Sequence, residues 1–305
     1  MIALSTRKVT GAAVPHPLRL WPLPILLCSL IAAQISGLDL GSANITMLAA
    51  LAIILVGLPH GTLDIEIAAV RFGLANRTAK IGILIGYLAG AAFMAAAWLF
   101  VPSLALTLFL VISIVHFSRD WRGAAEPFLA TMVGWALIAL PALSHRDDVA
   151  AIFTLLTASS SGATISAVLA CTSVPAAIGS LIYAIWAWQH DERQSAVEVI
   201  SCIIAALFLP PLVAFAIFFC LLHSPRHMAE SWRNSGAITA PRKRLVITAV
   251  MLLALGLGVA IFAAQPAELL ADSVIRSAFI LLSVLTVPHF ALELAMARKT
   301  AASRG

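Results

Sequence analysis

Charge is what this 305-residue chain has least of. Asp, Glu, Lys and Arg together make 11 % of it, against 61 % hydrophobic residues. Soluble domains carry about 25 % charged residues, and a globule of this length cannot hide so much apolar surface from water. Disorder is excluded as well, because disordered chains are poor in hydrophobics. Cysteine is also scarce. Cys28, Cys171, Cys202 and Cys220 fall in or beside apolar runs and none forms a CxxC pair. That excludes a disulfide framework or a Cys-rich zinc site and leaves four packing residues. What remains is an all-α, polytopic membrane helical bundle, one integral membrane domain over residues 1–305.

The long hydrophobic runs support this. A span needs about 20 apolar residues. Candidate spans lie near residues 18–36, 45–70, 80–101, 103–119, 127–144, 166–189, 196–209, 211–229, 243–265 and 272–296. The seventh is short and meets the eighth at Pro210–Pro211, which a continuous helix tolerates poorly. The net charge of +5 follows the loops and does not mark a nucleic-acid surface. Arg7, Lys8 and Arg19 precede the first span, and no convincing cleavage site follows, so it reads as a retained span and not a signal peptide. Further basic residues are Arg71, Arg77 and Lys80; Arg119 and Arg122; Arg193; Arg226, Arg233, Arg242, Lys243 and Arg244; and Arg298, Lys299 and Arg304. The alternate loops, including 144–165, are poor in them. About ten spans, within a range of eight to ten, put every basic cluster inside with both termini cytoplasmic. The expectation is a multi-pass protein of the cell inner membrane. Gly82, Gly86 and Gly90 have small-xxx-small spacing, expected to serve packing within the bundle. Ser159–Gly162 reads as an outer loop.

Ionisable residues inside spans are costly, and are functional candidates for that reason. Of eight histidines, His16, His145 and His190 fall in loops. His60, His116, His223, His227 and His289 do not. Four residues after His60, His116, His223 and His289 stand Asp64, Asp120, His227 and Glu293. That offset places each pair on one helix face. All four histidines fall on even spans. Counted at 1.5 Å per residue, they lie roughly 18–24 Å from the outer face, in one layer. A common metal site needs such a layer. Imidazole suits iron, copper, zinc and nickel, and the apolar, cysteine-poor surround favours iron. His60, His116, His223 and His227 are the expected ligands, with His289 a fifth ligand or an orienting group. Asp64, Asp120, Glu293 and also Glu66 are candidates to accept the other imidazole N–H. Asp64 and Asp120 have alternative partners in Arg71, Arg119 or Arg122 at the inner interface. Trp121 and Trp232 read as interfacial belt residues, and Phe208, Phe215, Phe218 and Phe219 as core or lipid-facing.

The runs Pro59–Asp64 (Pro-His-Gly-x-x-Asp), His116–Asp120 (His-Phe-x-x-Asp) and His223–His227 (His-Ser-Pro-Arg-His), with Pro288–His289 near the end, occur in that order. In this the chain resembles the Brp/Blh family of membrane β-carotene 15,15′-dioxygenases. The resemblance implies cleavage of the central double bond of β-carotene by O₂ to two molecules of retinal. It also implies non-haem Fe(II) held by His60, His116, His223 and His227. β-Carotene or a related carotenoid, O₂ and membrane lipid are then the expected partners, and nucleic acid is not. Three rival classes share these features: a two-metal desaturase or hydroxylase acting on a different carotenoid or lipid, which usually needs more histidines; a proton-coupled transporter; and a retinal-binding pump. The last needs a mid-span lysine, but Lys8, Lys80, Lys243 and Lys299 lie in loops or at span ends.

Overall fold

The computed structural model describes residues 22–73, 77–121, 127–236, 238–265 and 269–302. Arg7, Lys8, His16, Arg19, Arg122 and Arg304, and the start of the first expected span, lie outside the described residues. Among those described there are thirteen α-helices and no strand. They are α1 (Pro22–Ile35), α2 (Ala43–Ala52), α3 (Asp64–Arg71), α4 (Arg77–Phe100), α5 (Pro102–Phe117), α6 (Pro127–Ser144), α7 (Arg146–Thr157), α8 (Ser161–Gln189), α9 (Arg193–Phe208), α10 (Pro211–Phe218), α11 (Ser224–Asn234), α12 (Ala240–Ala263) and α13 (Leu270–Ala302). The all-helical result follows from composition: in an apolar phase the backbone must satisfy its own N–H and C=O groups.

Eight helical segments among the described residues are long and apolar enough to cross a membrane: Ala43–Arg71, Lys80–Phe100, Pro102–Trp121, Pro127–Ser144, Ser161–Gln189, Pro211–Asn234, Ala240–Ala263 and Leu270–Lys299. The first and seventh expected spans are helices of 14 and 16 residues. At 1.5 Å per residue these measure roughly 21 and 24 Å, below the usual 30 Å hydrocarbon thickness. Pro210 and Pro211 do separate α9 from α10: Leu209 is extended (ψ 150°) and Pro211 opens the next helix.

Four segments run in the same direction. Ala50, Leu212 and Ala278 share one apolar cluster. His60, ten residues after Ala50, His223, eleven after Leu212, and His289, eleven after Ala278, meet again further on. On α5, Phe109 packs against Phe279 at 6.4 Å and His116 against His289 at 5.0 Å. So α2, α5, α10 and α13 are parallel; α8 runs with α5, since Ser161 at its start meets Ser103 and Tyr183 near its end meets Trp121, and the chain must return between α8 and α10. The return is α9.

Three local expectations are corrected. The stretch 144–165 is not a simple loop. It holds α7, amphipathic, with Asp147 and Asp148 in its first turn and Val149, Phe153 and Leu156 buried, and α8 already starts at Ser161. Of the α4 glycines only Gly90 makes a close approach, where a Cβ would lie 3.2 Å from Pro288; nothing lies within 4 Å of one at Gly82 or Gly86. Trp121 is buried, its carbonyl accepting the Tyr183 hydroxyl at 3.2 Å, because the turn after α5 folds back under α6 and α8 and not outward to an interface.

Candidate metal centre

Proline shapes the helices that carry the histidines. It lacks a donor and cannot continue a regular ladder. Ahead of Pro59, α2 loosens into a π turn (Ile53–Gly57), then tightens into a 3₁₀ turn (Leu58–Gly61) carrying His60. Ahead of Pro225, a second π turn (Phe219–His223) ends on His223, and α11 follows with His227. His116 lies in the last turn of α5, and His289 follows Pro288 inside α13. Single π turns inside helices are frequent at functional sites. Here they re-aim His60 and His223 without ending the segment.

The five histidines converge. Ring centroids are 4.4 Å apart for His223–His227, 4.9 Å for His116–His223, 5.0 Å for His116–His289 and 5.1 Å for His60–His289. His223 is 0 % and His116 1 % exposed, and His60 and His289 are buried too. Potential ligand atoms come within 4.8 Å of one another in three sets: His60, His116 and His289; His116, His223 and His227; His227, His289 and Glu293.

Four of the five rings are hydrogen-bonded at one nitrogen, and the fifth, His116, has only an ion-pair approach to Glu293. Nδ1 of His60 donates to the Gly57 carbonyl. Nδ1 of His223 donates to Asp120 Oδ2 at 3.0 Å, and Nδ1 of His289 to Asp64 Oδ2 at 2.6 Å. Nδ1 of His116 stands 3.3 Å from Glu293 Oε2. His227 is turned the other way, with Nε2 donating to Asp120 Oδ1 at 3.1 Å and Nδ1 3.6 Å from Glu293 Oε1. Nε2 of His116, His223 and His289 is left buried with no hydrogen-bond partner. An unpaired buried polar atom costs about 1–3 kcal/mol, so three in one cluster are an expensive arrangement for the chain alone. Imidazoles held at one nitrogen by an acceptor, with the other nitrogen free, are the usual form of metal-bound histidine. The residues present therefore fit a metal ion.

The carboxylates pair across helices. Asp64 serves His289 and not His60; Asp120 serves His223 and His227 and not His116. Glu293 lies 3.7 Å from His289, its neighbour one turn back, and also reaches His116 and His227. The reason is the 3₁₀ geometry of Leu58–Gly61 and Ser118–Trp121. Tighter winding eclipses i with i+3 and swings i+4 off the shared face. Among the described residues Asp120 faces imidazoles and not an arginine, while Arg119 stands 3.8 Å from Glu293. Glu66 is not at the centre. Two residues past Asp64 it points away, bonded to Lys80 at 2.8 Å and 3.5 Å from Arg242. His145 and His190 lie apart, the former 3.8 Å from Asp148 and the latter stacked on Trp186.

Sequence reasoning missed two supports. Phe219 stacks on His223 (5.3 Å, 19°) and closes over Gly57, whose missing side chain admits the ring. Glu198 on α9, buried, ion-pairs with Arg226 and accepts from Gln194 at 3.0 Å. A carboxylate inside an apolar run was a signal of the same kind as the histidines.

Among the described residues, eight helical segments of membrane-crossing length around a cluster of five histidines, four of them buried and His227 partly so, define a membrane protein with a histidine cluster at its core. Residues 51–297, which include all five histidines and Asp64, Asp120 and Glu293, match the family model described as Beta-carotene 15,15′-dioxygenase. A protein of that name from uncultured marine bacterium 66A03 is 30 % identical over 253 residues, covering 79 % of this chain and 90 % of the relative. The chain belongs to the beta-carotene 15,15′-dioxygenase family. No solved structure matches it.

Proposed function

We propose that this protein cleaves the central 15,15′ double bond of β-carotene with O₂ to give two molecules of retinal, at a non-haem Fe(II) held by His60, His116, His223 and His227. Family membership supports carotenoid cleavage. The observation that carries the metal is the set of buried, unpartnered Nε2 atoms on His116, His223 and His289. That set makes His289 a fifth ligand candidate, its other nitrogen already held by Asp64.

Bound iron would supply O₂ binding and activation. The chain's own groups prepare the place. Asp120 fixes two rings at once, Asp64 fixes His289, and the Gly57 carbonyl fixes His60. Phe117 and Phe219 pack on His223 and keep water from it. The reaction balances without a reductant: one C=C bond breaks, and each oxygen atom of O₂ ends in one aldehyde. Both substrates favour an apolar phase, so a centre at membrane depth meets them where they dissolve. With α9 and α1 counted as crossings, the chain passes the inner membrane ten times, its basic loops and both termini in the cytoplasm.

Expression in cells that accumulate β-carotene tests this. The cells should bleach and yield retinal, and purified protein should carry one iron per chain. His223→Ala should keep the cells coloured and the protein iron-poor. Two irons per chain, or bleaching by His223→Ala, would overturn the ligand assignment.

A further inference from the structure

Two cavities meet at the centre, and they differ in chemistry. Asp64 and His289 line both. One, of about 450 Å³, carries Arg71, Arg119, Glu230 and Asn234 and suits water and polar groups. The other, of about 360 Å³, lies between α4, α12 and α13, with His60 and His289 at its inner end. Its size falls within the range of about 300–1,000 Å³ for small-ligand sites.

Its wall is nearly all hydrocarbon. Leu84, Leu88, Leu253 and Leu257 line it while remaining 40 %, 57 %, 74 % and 38 % exposed, so they form a mouth on the outer surface of the bundle. These positions lie well inside apolar helices, which puts the mouth against lipid tails. The three hydroxyls of the wall are all engaged by main-chain carbonyls: Thr62 with Pro59 (2.6 Å), Thr286 with Leu282 (2.7 Å) and Tyr87 with Leu285 (3.5 Å). No hydroxyl proton is left over for a polar ligand.

The outer wall is α12, the least embedded of the eight long helices, with only Lys243 and Ala254 buried. It is fastened near its start, where Arg242 stands 3.5 Å from Glu66 and Lys243 donates to the Trp232 carbonyl at 2.8 Å. Beyond that point it leans mainly on α13.

We propose that this chamber is the polyene-binding site: the carotenoid enters sideways from the lipid between α4 and α12 and lies with its reacting stretch against His60 and His289. This rests on the functional reading above. The polar cavity, across the Asp64–His289 pair, does not take the hydrocarbon. A long lipid tail shares the chemistry of a polyene, and the test separates the two.

Ala254 is the small residue through which α12 faces the chamber. Ala254→Trp fills it from α12, and Leu88→Trp narrows it from α4. Leu252→Trp adds the same bulk to α12 at a lipid-facing position that does not line the chamber. Metal-free wild-type and variant proteins in phosphatidylcholine nanodiscs are titrated with β-carotene, and induced circular dichroism of the polyene reports binding. Retinal yield of the iron-loaded proteins is measured alongside. Overpacking of this kind weakens binding by about tenfold or more. The expected result is that loss for Ala254→Trp and Leu88→Trp, wild-type binding for Leu252→Trp, and unchanged iron content in all three. Wild-type affinity in both chamber variants, with retinal still formed, would overturn the chamber assignment, leave cleavage standing and give the chamber to lipid tails. Equal weakening by Leu252→Trp would overturn it too. Absence of retinal from iron-loaded wild type would instead fail the functional reading.

Discussion

Asp120 is the one carboxylate among the described residues that hydrogen-bonds two rings of the histidine cluster. Its two oxygens each hold an imidazole, on His223 and on His227. Asp120→Asn offers one acceptor and turns an N–H₂ toward the other ring. Loss of such a partner typically lowers metal affinity 10–100-fold, and that loss is expected here, read by iron titration of metal-stripped protein. Gly57 is constrained for another reason. A Cβ there would fall on the Phe219 ring, which packs on His223. Gly57→Ala should destabilise the protein by about 1–3 kcal/mol, the usual cost of overpacking, seen as a lower midpoint of thermal unfolding. These roles were unequally legible. The histidines and Asp64, Asp120 and Glu293 stand out against an apolar background because they are expensive there. Gly57 does not, since its role depends on the ring of Phe219, 162 residues further along the chain.

Among the elements, α9 and the π turns decide most. The Arg226–Glu198 pair fastens the helix carrying His227 to α9. Glu198→Ala would strand a partly buried guanidinium, at a cost of about 3 kcal/mol, and the double change Glu198→Leu, Arg226→Met should cost less than the single one. Denaturation of the three variants measures both. Hydropathy placed α9 correctly as a separate helix before Pro210, but its pairing with α11 lay beyond any local pattern. The i,i+4 spacing of His and carboxylate was real in the chain and misleading about partners. It assumes regular α geometry, and the 3₁₀ turns at His60 and after His116 depart from that.

At the scale of the molecule, the four histidine-bearing segments run in parallel, so the turn at 190–192 and the break at 209–211 must lie at opposite ends of the bundle. Single cysteines introduced at the exposed positions 191 and 208, in a variant lacking the chain's own four cysteines, should react with a membrane-impermeant thiol reagent from opposite faces of intact vesicles. Labelling of both from one face would contradict the return through α9.

Composition and the long unbroken apolar runs determined that this chain is an all-helical, membrane-crossing bundle, because a backbone in an apolar phase must satisfy itself and a barrel strand would alternate in polarity. Rare polar residues at helical spacing were enough to single out five histidines and three carboxylates. Which carboxylate holds which ring, the placement of Glu66 away from the centre, the role of Glu198 and the apolar chamber beside His60 were decided only by tertiary structure. They arise where separate helices meet, and a contact between distant segments leaves no periodicity in either one.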